Sequence, residues 1–334
     1  MDSPVSPLGG GGPRRPFLFT LPPLGRAARA RLKGKSTPEH AALRDALGAE
    51  GSTLLARMTC CEKTKLSRSA PSIELGWRAD VSACATSPLV RIPQSGDTSG
   101  GNVGAVLWDC AAALYTLIEA PARAGTRGEA VCTMRGKRVL ELGSGTGLVG
   151  IAAARAGALR VLLTDNHNLD ALCTNVDANT HRSADSDGAA EDDAAACDAV
   201  HSAVGDAARV APLDWHASDA AALDALRAAH FGGCDPDVII ASDVMYARES
   251  SMAFVALLER LVPPGAVDVT VLLAYKHRHA GLLTPAWERL RASFDVEELR
   301  STILDTLYEH CQVGCYALVR PSGCGSAIPA AREN

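Results

Sequence analysis

The sequence predicts an α/β fold built on an open, doubly wound, mostly parallel sheet over roughly its C-terminal two thirds. From about Pro88 onward, apolar runs of strand length alternate with stretches of helical apolar spacing, which is typical of a parallel sheet covered on both faces. A glycine-rich turn follows residues 138–142, as in folds that hold a cofactor at the end of a strand. Of the 334 residues, 47% are hydrophobic, which is enough for one large core.

Strands are predicted where β-branched and other apolar residues cluster between turn signals. Residues 89–93 are predicted to form a short leading strand. The later predicted strands are 138–142, 161–164, 210–213, 238–242, 267–274 and 313–319, with a weaker one at 296–299.

Helices are predicted where apolar residues recur at a helical period. These stretches are 107–120, 149–156, 169–179, 219–229 and 252–261. Residues 38–58 also have the composition of a short helix, broken near Gly51.

Residues 1–80 are predicted to be a low-complexity, basic and disordered extension. No acidic residue occurs between Asp2 and Glu39, whereas arginines and lysines recur. A basic segment of this kind suits an organelle transit peptide. It contains few serines, however, and Pro22 and Pro23 interrupt any amphipathic helix. A plain disordered tail is therefore favoured.

The folded domain is predicted to span residues 81–322. Within it, 181–206 is mostly Ala, Asp and Ser, with acidic residues at 191–193. Because such a segment has little to bury, it is predicted to be a mobile acidic insertion. Residues 323–334 are predicted to be a flexible tail.

The bulk composition narrows the functional classes. A formal net charge of -5 argues against a broad basic face for nucleic acid. No apolar run in the sequence approaches the roughly 18 residues of a membrane span. The 11 cysteines are scattered without a CxxC pair, which favours reduced thiols. The loose grouping of Cys311 and Cys315 with His277 and His279 lacks tight ligand pairs, so no metal site is expected.

The most informative segment is VLELGSGTGLVG at 139–150. Its glycines let the backbone pass close to a ligand, and the amides that begin the following helix point at that ligand. A dinucleotide fingerprint needs GxGxxG directly at the strand end, but Leu148 stands where its third glycine should be. Glu141 would repel a pyrophosphate, whereas S-adenosylmethionine carries an ammonium and a sulfonium. Charge therefore favours S-adenosylmethionine over NAD.

Polar and aromatic residues end the next three predicted strands. Asp165 lies 22 residues after Gly143, near the roughly 20-residue separation at which a carboxylate meets ribose hydroxyls. Trp215 follows the third strand, where a ring suits an adenine, although a core tryptophan is the alternative. Asp243 ends the fourth strand. In a doubly wound sheet that strand end lies beside the glycine loop, at the point where the strand order reverses.

With these features in order, the chain from about Pro88 to Arg320 resembles methyltransferase family 16. This group of seven-β-strand protein lysine methyltransferases includes enzymes that act on valosin-containing protein and on heat-shock chaperones. The matching segments are 104–109 (GAVLWD), 139–151 (VLELGSGTGLVGI), 162–165 (LLTD), 175–179 (NVDAN), 213–215 (LDW) and 241–246 (ASDVMY). The last contains a DxxY motif at Asp243 and Tyr246. An NPPY or DPPY box is absent from the sequence, which argues against a DNA base or glutamine substrate.

The resemblance implies a seven-stranded, class I (Rossmann-like) methyltransferase fold with S-adenosylmethionine as cofactor. It implies cofactor contacts at Trp108, Glu141, Gly143, Gly145, Asp165, Trp215 and Ala241. In that assignment Glu141 and the glycines hold the methionine part, Asp165 the ribose and Trp215 the adenine. Asp243 and Tyr246 would line a lysine channel as the catalytic pair.

The expected activity is methyl transfer to a lysine side chain of a protein substrate. The alternatives are a histidine, an N-terminus or a small molecule as acceptor, or a non-catalytic methyltransferase-like binding module. The expected partner is a protein such as a chaperone or an AAA-type ATPase, with no nucleic acid and no membrane. A cytoplasmic monomer is expected, and the basic N-terminus leaves organelle targeting open.

Overall fold

The computed structural model describes residues 72–75, 90–93, 103–119, 130–180, 204–266, 268–277, 283–299 and 313–321. Four predicted features lie wholly or largely outside these ranges. They are the 1–80 extension apart from 72–75, the short helix within 38–58, the acidic insertion as far as residue 203, and the 323–334 tail.

Nine strands form two sheets in the described part of the chain. They are β1 (Ser72–Leu75), β2 (Val90–Pro93), β3 (Arg138–Leu142), β4 (Arg160–Asp165), β5 (Ala208–Pro212), β6 (Val238–Ser242), β7 (Thr270–Lys276), β8 (Asp295–Glu298) and β9 (Val313–Val319). β1 and β2 pair with each other, and the rest form a seven-stranded sheet in the order β5-β4-β3-β6-β7-β9-β8. β3 to β7 run parallel, whereas β9 is antiparallel to both β7 and β8.

Helices cover both faces of the large sheet. They are α1 (Asp109–Glu119), α2 (Leu148–Arg155), α3 (Leu169–Ala178), α4 (Ala220–Phe231), α5 (Arg248–Leu261) and α6 (Thr284–Ser293). The buried side chains of α1, α2 and α3 pack on one face, and those of α4, α5 and α6 pack on the other. None of the helices in the described ranges is long and apolar enough to cross a membrane.

The doubly wound, mostly parallel seven-stranded sheet predicted from the sequence is confirmed. β3 and β6 are adjacent although two parallel strands separate them along the chain, and Leu142 pairs with Ala241. The strand order therefore reverses between β3 and β6. Because all parallel strands end at the same edge, the loops that follow these two strands meet there.

Several element boundaries differ from the prediction. α6 was not predicted, since its polar sequence TPAWERLRAS shows only Ala286, Trp287 and Leu290 buried. Its signal was Pro285 in the first turn, a favoured helix-start position. β7 begins at Thr270 instead of the predicted residue 267, because its pairing with β6 begins there. α5 begins at Arg248 instead of the predicted residue 252, before the apolar periodicity starts.

The short strands near the start of the domain correct one expectation. Ser72–Leu75 is a strand, so the disorder predicted for 1–80 is wrong for these four residues. The apolar alternation of SIEL allows this segment to pair antiparallel with β2, Ile73 opposite Ile92 and Leu75 opposite Val90. β2 therefore lies outside the large sheet, and Val90 and Ile92 join the core on the α1–α3 face.

Candidate functional site

A cavity of about 320 Å³ lies at the edge of the sheet where the parallel strands end. Its wall comes from five segments of the chain. They are 103–111, 143–146, 165–167, 214–216 and 242–250. Each of the last four follows one of the strands β3, β4, β5 and β6, so the topology itself brings them together.

The glycine loop is held tightly against its neighbours. Gly143 and Gly145 have φ of 67° and 52°, in the left-handed region that favours glycine. A Cβ on Gly143 would lie 3.0 Å from Val244 and 3.1 Å from Trp215, and one on Gly145 would lie 3.2 Å from the Gly104 carbonyl oxygen. The loop therefore needs glycine both for its conformation and for its close contacts.

Asp165 ends β4 beside this loop and lines the cavity. Its Oδ2 accepts a hydrogen bond from the Gly145 amide at 2.8 Å. Its Oδ1 accepts from the amides of Asn166 and His167 at 2.8 and 3.0 Å. The carboxylate thus shapes the loop with three acceptor positions, and about one of its four remains for a ligand hydroxyl.

Asn175 on α3 supports the loop from below, a role that sequence reasoning missed. Its side chain is buried, and its Nδ2 donates to the Thr146 carbonyl at 2.8 Å. Asn179 in turn donates to the Asn175 carbonyl at 2.8 Å. The signal was present in the NVDAN segment, whose two asparagines lie four residues apart on one helix face.

Glu141 is fully buried beneath the loop. Its Oε2 accepts from the Gly150 amide of α2 at 3.1 Å. Burial raises the pKa of Glu141 to about 8, and repulsion by Asp165 adds to the rise. The Ser144 hydroxyl and the Gly150 amide oppose this rise in pKa. Yet neither Glu141 Oε1 nor Ser144 Oγ has a well-formed hydrogen bond with any of the described residues.

Trp215 lines the cavity and is half-buried. Its ring lies against Gly143 and contacts the Phe254 ring with centroids 5.6 Å apart. Arg260 on α5 fixes the backbone of this turn by donating to the carbonyls of Trp215, at 3.1 Å, and of Ser218. One face of the indole therefore packs on α5 while the residue also borders the cavity.

Trp108 precedes α1 at another wall of the cavity. Its indole Nε1 donates to the Val103 carbonyl at 2.8 Å, which closes the 3₁₀ turn Val103–Ala105. The next residue, Asp109, accepts from Lys276 Nζ at 2.7 Å and is buried. This ion pair joins the start of α1 to the end of β7, so Trp108 projects from a fixed helix terminus.

Asp243 and Tyr246 follow β6 and line the same cavity. Asp243 is 9% exposed and has a φ of 58°, a left-handed conformation that few residues other than Gly, Asn and Asp adopt readily. Its amide donates to the Ala274 carbonyl at 2.9 Å. Tyr246 is 48% exposed, so its phenol borders both the cavity and solvent.

Seven of the nine predicted site residues line this cavity: Trp108, Gly143, Gly145, Asp165, Trp215, Asp243 and Tyr246. The structure does not bring Glu141 and Ala241 to its wall. Strand side chains alternate between faces, so Glu141 points towards α2 and Ala241 into the α4–α6 layer. Ser144, which sequence reasoning did not select, lines the cavity.

The chemistry of this wall suits a cationic ligand. Three carboxylates line it, those of Asp165, Asp214 and Asp243, and no Lys or Arg side chain does so among the described residues. These carboxylates would repel a pyrophosphate, whereas they would attract an ammonium and a sulfonium. The close-packed glycines also fit a ligand that approaches the loop directly.

The described residues show no group of three or more His, Cys, Asp or Glu side chains that could hold a metal ion. Cys315 is buried in the core, and burial raises the pKa of its thiol. Cys311 and His279 lie outside the described residues.

Comparison with known proteins places these features in a family. Residues 87–283 match a family model described as lysine methyltransferase. Protein N-lysine methyltransferase METTL21A of Danio rerio is 31% identical over 213 residues, 63% of this chain and 77% of that protein. Protein-lysine N-methyltransferase EEF2KMT of Homo sapiens is 36% identical over 168 residues, 49% of this chain and 42% of that protein. The chain thus matches less than half the length of the human relative.

Among solved structures, a TehB-like SAM-dependent methyltransferase from Corynebacterium glutamicum superposes with a TM-score of 0.35 at 16% identity. The superposition covers 56% of this chain and 82% of that one. The strand order itself identifies the fold class.

Proposed function

Because the chain belongs to the family of S-adenosylmethionine-dependent lysine methyltransferases, we propose that it transfers methyl groups to a lysine side chain of a protein substrate. The observation that carries this proposal is the carboxylate-lined cavity at the reversal point of the sheet. Both the sulfonium of the cofactor and the ammonium of a lysine are cations, and the wall favours both.

When bound, S-adenosylmethionine supplies a methyl group activated by its sulfonium sulfur. We propose that Trp108, Gly143, Gly145, Asp165 and Trp215 bind it. The loop glycines let the backbone approach, Asp165 keeps about one acceptor position for a ribose hydroxyl, and the Trp215 ring supports the adenine. Glu141 and Ala241 do not line the cavity. Glu141 would support the glycine loop from beneath, and Ala241 would support the site by packing within the sheet.

Asp243 and Tyr246 are proposed to orient the acceptor amine. A lysine is protonated in water, with a pKa of about 10.4, and must lose a proton to solvent before its nitrogen can act as a nucleophile. The Asp243 carboxylate attracts the ammonium to the site, whereas partial burial and the positive charge of the cofactor favour its neutral form. The main requirement is alignment of the nitrogen with the methyl group, and two hydrogen-bonding side chains at the cavity mouth supply it.

Two conservative variants test this assignment. Asn tolerates the left-handed backbone at position 243, so Asp243→Asn keeps the turn while removing the charge. We expect Asp243→Asn and Tyr246→Phe each to lower kcat by at least about tenfold while S-adenosylhomocysteine binds as in the unmodified chain. Asp268→Asn, at an exposed position outside the cavity, is the matched control. Full activity in both site variants would refute the roles of Asp243 and Tyr246.

The acceptor is tested by incubating cell lysate with tritium-labelled cofactor and hydrolysing the labelled protein. Methyl-lysine is expected. Methyl-histidine, a methylated N-terminus or a labelled small molecule would replace the lysine proposal with one of its alternatives. Absence of any label, with cofactor binding intact, would support a non-catalytic binding module.

The substrate protein and the setting of the reaction are further parts of the proposal. A chaperone or an AAA-type ATPase is the proposed partner, by analogy with the family. A monomer in the cytoplasm is proposed, with organelle targeting by the basic N-terminus as the alternative. Light scattering of the purified chain and imaging with a C-terminal fluorescent tag test these two points.

A further inference from the structure

The end of β7 is bonded to two separate walls of the cavity. Lys276, its last residue, donates from Nζ to Asp109 Oδ2 at 2.7 Å. The carbonyl of Ala274, two residues earlier, accepts from the Asp243 amide at 2.9 Å. Asp243 lines the cavity, and so does Trp108, the residue before Asp109. Two walls that lie far apart in sequence are therefore attached to one strand end.

The ion pair between Lys276 and Asp109 is mostly shielded from water. The Asp109 side chain is 6% exposed and that of Lys276 is 24% exposed. Side chains alternate along a strand, so Lys276 lies on the same side of the sheet as Ala274, which packs in the core with α1. Separating two largely buried charges is costly, because each would lose its counter-charge. The pair therefore fixes the start of α1 against the end of β7.

α1 does not depend on this ion pair to pack on the sheet. The side chains from Cys110 to Ile118 are all buried. Apolar contacts of this kind have no preferred direction, whereas a charged hydrogen bond sets both a distance and an angle. The apolar side chains therefore hold the helix on the sheet, and the ion pair determines where its first residue lies.

Methyl transfer makes a strict demand on such positions. The acceptor nitrogen, the methyl carbon and the sulfur must be in line, and a misplacement of about 1 Å can lower the rate by about 100-fold. Trp108 belongs to the proposed cofactor wall, and Asp243 belongs to the proposed acceptor wall. Because both walls are attached to β7, the position of one relative to the other depends on the bonds at the end of this strand.

We propose that Lys276 is a positioning residue for methyl transfer, which acts through Asp109 to fix the cofactor wall at Trp108 relative to the acceptor wall at Asp243. Lys276 does not line the cavity. It exchanges no proton with either reactant, and no covalent bond forms or breaks at its side chain. The inference rests on the proposed function, because it takes these two walls to hold the cofactor and the acceptor.

Lys276→Met tests this role. Transfer from saturating S-adenosylmethionine is measured on the acceptor protein that tritium labelling of the lysate reveals. We expect kcat to fall about tenfold because the reactants are misaligned. The Kd of S-adenosylhomocysteine should stay within about twofold, because the glycine loop and Asp165 still bind it. Lys276→Arg retains a charged donor for the carboxylate and should keep most of the activity.

Arg138→Met is the matched control. Arg138 begins β3, at the opposite edge of the sheet from the cavity, and forms a partly buried ion pair with Asp237 at 2.7 Å. Its loss should leave both kcat and the Kd of S-adenosylhomocysteine unchanged. An equal fall in kcat in the Lys276 and Arg138 variants would show a general effect of losing an ion pair, which would overturn the inference.

A double-mutant cycle tests whether Lys276 acts through Asp109. Asp109→Asn removes the negative charge of the pair and should lower kcat by itself. The double variant should lose no more kcat than Lys276→Met alone, because either change breaks the same link. Losses that multiply in the double variant would mean that the two residues act separately, and would overturn the inference.

The remaining outcomes distinguish this inference from the proposed function. If Lys276→Met keeps full kcat, or raises the Kd of S-adenosylhomocysteine while kcat at saturation is unchanged, the inference is overturned and the proposed function stands. Failure of Lys276→Met to fold would overturn it too, because α1 would then need the pair for packing. If the unmodified chain binds S-adenosylhomocysteine but methylates no acceptor, the proposed function and the inference fall together.

Discussion

At the residue scale, the candidate site depends on side chains that hold the backbone of its glycine loop in place. The backbone of the glycine loop is held by Asp165, which accepts from Gly145, and by Asn175, which donates to Thr146. Neither bond is between neighbours in sequence. The affinity of the site should therefore be sensitive also to Asn175, which does not line the cavity.

Asn175→Ala is expected to lower both stability and cofactor affinity. It leaves the Thr146 carbonyl without its buried donor, which costs about 1–3 kcal/mol of unfolding free energy. The loosened loop should raise the Kd of S-adenosylhomocysteine several-fold. Thr174→Ala, which removes an exposed hydroxyl that donates to the Asp170 carbonyl within α3, is the control and should leave affinity unchanged. Calorimetric binding and urea unfolding measure the two effects, and equal loss of affinity in both variants would contradict the loop-support role.

Glu141 is expected to make the stability of the ligand-free chain fall as the pH rises. Its pKa is about 8 in the folded chain against an ordinary value of 4.5. Between these values the folded chain holds a proton that the unfolded chain has lost. The stabilisation from this group is thus fully present below about pH 4.5 and is gone above about pH 8.

Glu141→Gln should remove this slope, which is on the order of 1.4 kcal/mol per pH unit. The variant should differ little from the unmodified chain near pH 5 and be more stable than it above pH 8. Urea unfolding of both chains across this range is the measurement. Parallel pH profiles would mean that Glu141 is already ionised in the ligand-free protein.

At the scale of elements, α5 links the core to the cavity. Its apolar face, which includes Phe254, packs against the sheet and the Trp215 ring, while Arg260 near its C-terminus holds the turn that carries Trp215. Glu259, the neighbouring residue, bonds instead to Arg289 on α6 at 3.1 Å. Of these two adjacent residues, Arg260 thus stabilises the cavity wall, whereas Glu259 joins α5 to α6.

Arg260→Met is expected to weaken adenosine binding. Loss of its bonds to the carbonyls of Trp215 and Ser218 frees the turn, so the Kd values of S-adenosylhomocysteine and 5′-methylthioadenosine should both rise by about fivefold. The KM for cofactor should rise with kcat unchanged at saturation, a division that a general loss of folding would not produce. Arg289→Met should leave both Kd values unchanged. A fall in kcat alone would contradict this role.

At the scale of the whole molecule, hydrogen bonds join the end of the last strand to two helices that precede it in the chain. Arg320, just after β9, donates to the carbonyls of Val262 at 2.5 Å, Ser293 at 2.6 Å and Glu259 at 3.3 Å. Its guanidinium carbon lies 4.2 Å from the centre of the Phe294 ring. One side chain therefore satisfies the C-terminal ends of both α5 and α6.

Arg320→Met is expected to lower the free energy of unfolding by about 3 kcal/mol, because it leaves buried helix-end carbonyls without donors. Arg209→Met is the control, since the Arg209 guanidinium donates to two carbonyls close to it in sequence, those of Gly205 and Ala208. Urea unfolding should show a loss of less than about 1 kcal/mol for this control. Equal losses would show that the long-range bonds of Arg320 are not the source of its effect.

Local patterns in the sequence were sufficient for the framework of the fold. The strands at 138–142 and 238–242 were predicted with the bounds that the structure has, because continuous apolar runs between turn signals are typical of buried parallel strands. The glycine loop was also readable, since only glycine adopts its left-handed conformations freely. α6 was missed because its sequence is mostly polar, and β1 because an alternation over only four residues is too short to stand out.

The sequence by itself determined the class of fold, the order of its motifs and seven of the residues that line the cavity, since strand ends and glycine turns are local features. Only the tertiary structure decided how those residues act. It placed Glu141 behind Ser144 rather than at the wall, brought Asn175 under the loop, and set Arg260 against the Trp215 carbonyl. Burial, pKa and hydrogen bonds between distant residues depend on how the layers pack, which no local pattern encodes.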